Sequence, residues 1–97
     1  MADFSEEIID IIFNKGAVKE GYDGRIFRLD ICGALMQRNK YGDRSHDFGW
    51  EIDHIVPTSK GGSDDISNLQ PLQWQNNAGK SDNPNSSDFC KVTFTDD

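Results

Sequence analysis

The chain has 97 residues, 35 % of them hydrophobic, and a formal net charge of −7. That is room for one small domain, 1–97, whose modest core a bound metal would help to stabilise. No apolar run approaches membrane-spanning length, and the start, Met1 to Glu7, lacks the basic and apolar regions of a signal peptide. A soluble, cytoplasmic protein with no membrane partner is therefore expected.

Residues 4–14 place Phe4, Ile8 and Ile12, with Ile9 and Phe13, at helical spacing. Asp3 followed by Glu6 suits a capping-box start and Gly16 a stop, and the apolar stripe reads as a packing face. Residues 16–24 read as a loop, completing an N-terminal unit, 1–24. Residues 25–37 predict two short strands, a hairpin interrupted at Gly33, and Tyr41-Gly42-Asp43 turns the chain. A strand is expected from Trp50 to Val56, ended by Pro57. Gly61-Gly62 belongs to a long connection rather than a phosphate cradle, since neither a following helix nor a correctly placed Lys fits that motif. Ser63 suits the cap of one helical turn over Asp64-Asp65-Ile66. Leu69 to Leu72 predicts an edge strand marked by Pro71, and a helix is expected from about Trp74 to Lys80. Within the tail, 83–97, residues 83–88 read as a polar linker and Phe89 to Thr95 as a weak last strand.

Cys32 and Cys90 are far apart in sequence and no Cys-x-x-Cys occurs. In an intracellular chain this predicts two reduced thiols, with a disulfide as the alternative, and no structural zinc. The acidic balance argues against general nucleic-acid affinity, but it is uneven. Arg25, Arg28, Arg38, Lys40 and Arg44 face only Asp30 and Asp43 within residues 25–44, which forms either a phosphate-tracking surface or an ordinary solvated face.

The chemistry-bearing residues follow that basic stretch. Phosphodiester hydrolysis needs a base for water, neutralisation of charge on the phosphate, and stabilisation of the leaving oxygen. His54 is a candidate base, because an imidazole accepts protons near neutral pH. Asp53, its neighbour, points to the opposite face of a strand, so the two can share a phosphate only at the strand's end. Asn77 and Lys80, three positions apart on a helix, can face one site, with Asn76 as a rival to Asn77. Asn68 is either a turn residue or an amide that bonds the loop after His54. Trp50 and Trp74 read as core, and His46 as surface.

The run Gly49-Trp50-Glu51-Ile52-Asp53-His54-Ile55, then Ser59-Lys60-Gly61-Gly62, Asn68-Leu69-Gln70-Pro71-Leu72 and Trp74-x-Asn76-Asn77, resembles the HNH nucleases. The closest likeness is to their cysteine-free subgroup. Asn77-Ala78-Gly79-Lys80-Ser81-Asp82 also resembles the HNH domain of RNA-guided CRISPR nucleases. The likeness covers about residues 28–82, so 25–82 is assigned as the nuclease motif region.

The resemblance implies an α+β chain: the small ββα-metal (His-Me finger) fold, with an added N-terminal helix and a preceding short β-hairpin. It implies Asp53 and Asn77 as metal ligands, His54 as general base and Asn68 as the Asn that positions it; Lys80, from its place on the helix, offers a catalytic cation for a phosphate, a partner for Asp82 or a cap for the helix end. One divalent ion is expected, Mg2+ before Mn2+ or another, and DNA as substrate, with RNA as the alternative. Many relatives carry Cys at the places of Gln73 and Asn76 and bind zinc there. The departure is acidity, which suggests a larger assembly that supplies DNA affinity, or an adaptor without activity.

Overall fold

The computed structural model describes residues 3–82 and 88–94. Helix α1 spans Glu6–Phe13. Its cap is Ser5, not the Asp3 of the expected capping box: Ser5 Oγ accepts the amide of Ile8 at 3.2 Å, and Glu6 and Glu7 complement the helix dipole in the first turn. Ile9, Ile12 and Phe13 face inward. Strands β1 (Phe27–Leu29) and β2 (Leu35–Gln37) form the expected hairpin, with Leu29 opposite Leu35.

Strands β3 (Trp50–His54) and β4 (Leu69–Gln73) pair antiparallel, from Trp50 opposite Gln73 to His54 opposite Leu69, and helix α2 (Trp74–Asp82) follows directly. Two helices with two small antiparallel sheets make an α+β architecture, and β3–β4–α2 is the ββα arrangement expected. Strand β3 stops at His54, two residues short of the predicted Val56, because the amides beyond it turn to Asn68: Ile55 N to its backbone oxygen and Val56 N to its side chain, each at 2.8 Å. The helical turn predicted after Ser63 lies later, as a 3-10 turn over Ile66–Asn68.

The core lies between α1, β2 and β3. Trp50 is fully buried, with its ring 5.1 Å from Phe13 and 5.0 Å from Tyr41, and Ile9 and Met36 close around it. Truncating such a buried Trp typically costs about 3–5 kcal/mol. Trp74 is only half buried, with its Nε1 bonded to the backbone oxygen of His46. His46, expected as plain surface, also accepts the Phe48 amide on Nδ1 and so shapes the turn into β3.

The expectation of two reduced thiols is overturned: Cys32 and Cys90 form a disulfide, with Cα atoms 5.6 Å apart. Residues 88–94 return to the loop before β2, where Phe94 N bonds the Gly33 oxygen and Phe89 enters the core. Chain separation carries no information about this proximity. The described part of this segment, 88–94, forms no strand, because Lys91 N and Val92 N bond the side-chain oxygen of Asn76 instead of a neighbouring strand. Residues 83–87 of the predicted linker and Thr95 of the predicted last strand lie outside the described residues.

Candidate active site at the end of β3

Strand parity puts Glu51 and Asp53 on one face of β3, and α2 packs across that face. Asn77 and Lys80, a turn apart on α2, each meet one of these carboxylates. Asn77 Nδ2 donates to Glu51 Oε1 at 2.8 Å, and Lys80 Nζ donates to Asp53 Oδ2 at 2.8 Å. Lys80 also donates to the backbone oxygen of His54 at 2.7 Å, which ties α2 to the last residue of the strand. Gln70, opposite Asp53 in the β4 register, adds a second bond to Asp53 Oδ2 at 2.8 Å. The Lys80–Asp53 pair is 16 % and 11 % exposed, so its charges are held largely out of water and depend on each other.

An open cleft of about 420 Å³ lies here, lined by Asp53, His54, Pro57, Asn77, Lys80 and Ser81, among others. Asp53 and His54 therefore share a cavity despite pointing to opposite strand faces, because His54 is the terminal residue of β3. The rivalry between the two asparagines separates by face. Asn77 lines the cleft, whereas Asn76 is fully buried on the far side of α2.

Glu51 is held on its other side by a bidentate pair with Arg44, at 2.7 and 2.9 Å. Burial alone would raise the Glu51 carboxyl, but the hydrogen bonds from Arg44 and Asn77 outweigh it and hold the group below its ordinary value. With the Nδ2 end of Asn77 tied to Glu51, the end of that amide left to a ligand is its carbonyl oxygen.

Asn68 lies in the loop rather than the cleft. Its Oδ1 accepts Val56 N at 2.8 Å, and its Nδ2 donates to Val56 O at 3.1 Å and Ser63 O at 2.8 Å. One amide thus closes the loop that follows His54. Gly62 permits the closure: a Cβ there would lie 1.7 Å from the Val56 oxygen. The loop returns Asp64 to His54, with Oδ1 2.6 Å from Nε2.

Three contributors escaped the sequence reading. Glu51 was detectable as the residue two before Asp53, on the same strand face. Gln70 follows from the β3–β4 register, but only once the register is known. Asp64 had no local signal, since ten residues and a loop separate it from His54.

The arginines of the basic segment do not form a free phosphate-tracking face. Arg25 pairs with Asp23, Arg38 with Glu6 and Asp10, and Arg44 with Glu51. Arg28 bonds the backbone oxygens of Asn14, Gly16 and Gly24. Arg28, Arg38 and Arg44 thereby fasten separate segments together, whereas the exposed Arg25 pairs only with its near neighbour.

Among the described residues no three His, Cys, Asp or Glu side chains gather to hold a metal ion. Among the oxygen donors lining the cleft are the Asp53 carboxylate and the Asn77 amide. Two oxygen donors fit a hard cation that keeps much of its water and completes its shell with substrate phosphate. They do not fit a structural zinc.

Residues 40–83 match the family model for HNH endonuclease. Comparison with curated proteins and with solved structures gave no match.

Proposed function

We propose, from the match of residues 40–83 to the HNH endonuclease family model, that the chain is a metal-dependent endonuclease that hydrolyses DNA phosphodiester bonds, leaving 5′-phosphate and 3′-hydroxyl ends. The observation that carries the reading is the shared cleft of Asp53, His54, Asn77 and Lys80. His54 takes the proton of the attacking water. Asp53 and Asn77 would hold one divalent ion, Mg2+ or Mn2+, which when bound would supply charge neutralisation at the phosphate and at the leaving 3′ oxygen. Lys80 fixes Asp53 and the end of β3, and its charge faces the same cleft as the phosphate. Asn68 holds the loop beyond His54.

Plasmid nicking with Mg2+ or Mn2+ tests this. His54→Ala should cut at least about 10²-fold more slowly, the scale of a lost general base, while its circular dichroism spectrum is unchanged. Cleavage at the wild-type rate would remove His54 from the role, and cleavage that persists in EDTA would remove the metal.

A second reading has its own support. With Arg25, Arg28, Arg38 and Arg44 engaged within the chain and a net charge of −7, DNA affinity comes from a larger assembly in which this chain is the cutting subunit. Few phosphate contacts predict a shallow dependence of binding on salt, and a steep slope for the isolated chain would count against the assembly. The cytoplasmic setting expected from the sequence carries a condition, because the Cys32–Cys90 bridge would have to form where thiols are kept reduced.

A further inference from the structure

We infer that Asp64 is the positioning residue for His54, holding the imidazole in the tautomer whose Nδ1 is free to accept a proton. The inference rests on the hydrolytic reading and deepens it by naming what prepares the base.

The contact is short and specific: His54 Nε2 lies 2.6 Å from Asp64 Oδ1. An ionised carboxylate only accepts hydrogen bonds, so Nε2 carries the hydrogen. In a neutral ring the other nitrogen, Nδ1, then holds the lone pair. A proton taken at Nδ1 creates an imidazolium whose charge is balanced by the carboxylate behind it, the arrangement in which an acid orients and supports a catalytic histidine.

The loop is built to deliver this carboxylate. Asn68 Nδ2 grips the backbone oxygen of Ser63, the residue before Asp64, and Val56 on the opposite limb. Gly62 permits the close crossing between them. Ser63 Oγ accepts the amide of Asp65, and Asp65 O accepts the amide of Asn68, so the turn on either side of Asp64 is tied down. Asn68 therefore reaches the base through Asp64 rather than by touching it. The Asp64 side chain is 62 % exposed, and solvent weakens its hold compared with a fully buried partner. The expected loss on neutralising it is therefore about 10–100-fold in rate, below the larger losses seen for buried triad acids.

The test uses wild type, Asp64→Asn and Asp64→Glu. Cleavage of a short duplex with Mg2+ gives kcat and KM. Nitrogen-15 NMR of the ring nitrogens reports the tautomer in the free protein at a pH where the ring is neutral, with the two histidines assigned by a His54→Gln sample. Expected are an Nε2–H tautomer in wild type, a fall in kcat of about 10–100-fold for Asp64→Asn at unchanged KM, and recovery of most of that loss in Asp64→Glu. An Nδ1–H tautomer in wild type, or an Asp64→Asn variant that cuts at the wild-type rate, would overturn the inference while leaving the hydrolytic reading intact. If wild type does not cut, the hydrolytic reading falls, and the ring spectrum alone decides what Asp64 does to His54.

Discussion

The two sides of α2 do opposite things with nearly the same residue types. Toward the cleft, Asn77 and Lys80 meet Glu51 and Asp53 at a half-open surface. On the far side, Asn76 is completely buried and fully bonded. Its Oδ1 accepts Lys91 N and Val92 N, and its Nδ2 donates to Val92 O and Asp30 Oδ2. Asp30 in turn accepts the amides of Cys32, Ala34 and Gln73. Gln73 Oε1 accepts the amides of Gln75 and Asn76, and so starts the helix. A buried polar network satisfied at every member fixes one arrangement, whereas the partial satisfaction of the cleft leaves groups for a ligand. The far side holds α2 so that the near side can present its groups. This knot and the Cys32–Cys90 bridge together tie residues 88–94 to the far side of α2.

The contrast can be broken at its strongest point first. Replacing both Cys32 and Cys90 with Ser should lower stability by about 4 kcal/mol, the chain-entropy expectation for a long loop, measured by urea unfolding. Next, Asn77→Ala should reduce cleavage by about 10²–10³-fold, the scale of one preorganised stabilising group. Its stability should change by no more than about 1 kcal/mol. Asn76→Ala should do the reverse: it removes the acceptor of two part-buried amides and a donor to the buried Asp30, and stability should fall by about 2–3 kcal/mol, a drop of roughly 10 °C or more in Tm. Cleavage per folded molecule should suffer less than in Asn77→Ala. If the two alanine variants behave alike, the division of α2 into a holding face and a presenting face is wrong.

The smallest effect concerns acid. The Glu51 carboxyl is held below its ordinary value in the folded chain, so its contribution is complete above the unfolded value and is lost as pH falls through that value toward the folded one. Glu51→Gln should therefore lose less stability than wild type as pH falls through and below the ordinary carboxylate range. The difference should stay below about 1 kcal/mol, because Arg44, its main partner, is more than half exposed. Urea midpoints across that range provide the measurement.

Much of the frame was legible because it depends on local pattern. Ile9, Ile12 and Phe13 announced α1, the stretches before Pro57 and around Pro71 announced β3 and β4, and the order Asp53, His54, Asn68, Asn77 was recognisable as a set. What escaped depends on distance in space. The Ser5 cap displaced the Asp3 box because cap choice turns on local backbone geometry. The disulfide, the Asp30 knot and the Asp64 contact join residues that no spacing rule connects. The arginines of residues 25–44 looked like a surface because composition shows a charge without showing its partner.

The Cys32–Cys90 bond has one further consequence, which is topological. Every residue lining the cleft, from Ile52 to Ser81, lies between the two cysteines, as do Arg44, Glu51, Asp64, Asn68 and Gln70, and α1 lies outside them. The site is thus enclosed in a covalent ring with the N-terminal helix as an appendage. A protease that nicks the exposed stretch Thr58 to Gly61 opens the ring without dividing the molecule. The β3 half and the α2 half of the cleft stay tethered, and parting them takes two breaks, one in the backbone and one between the sulfurs.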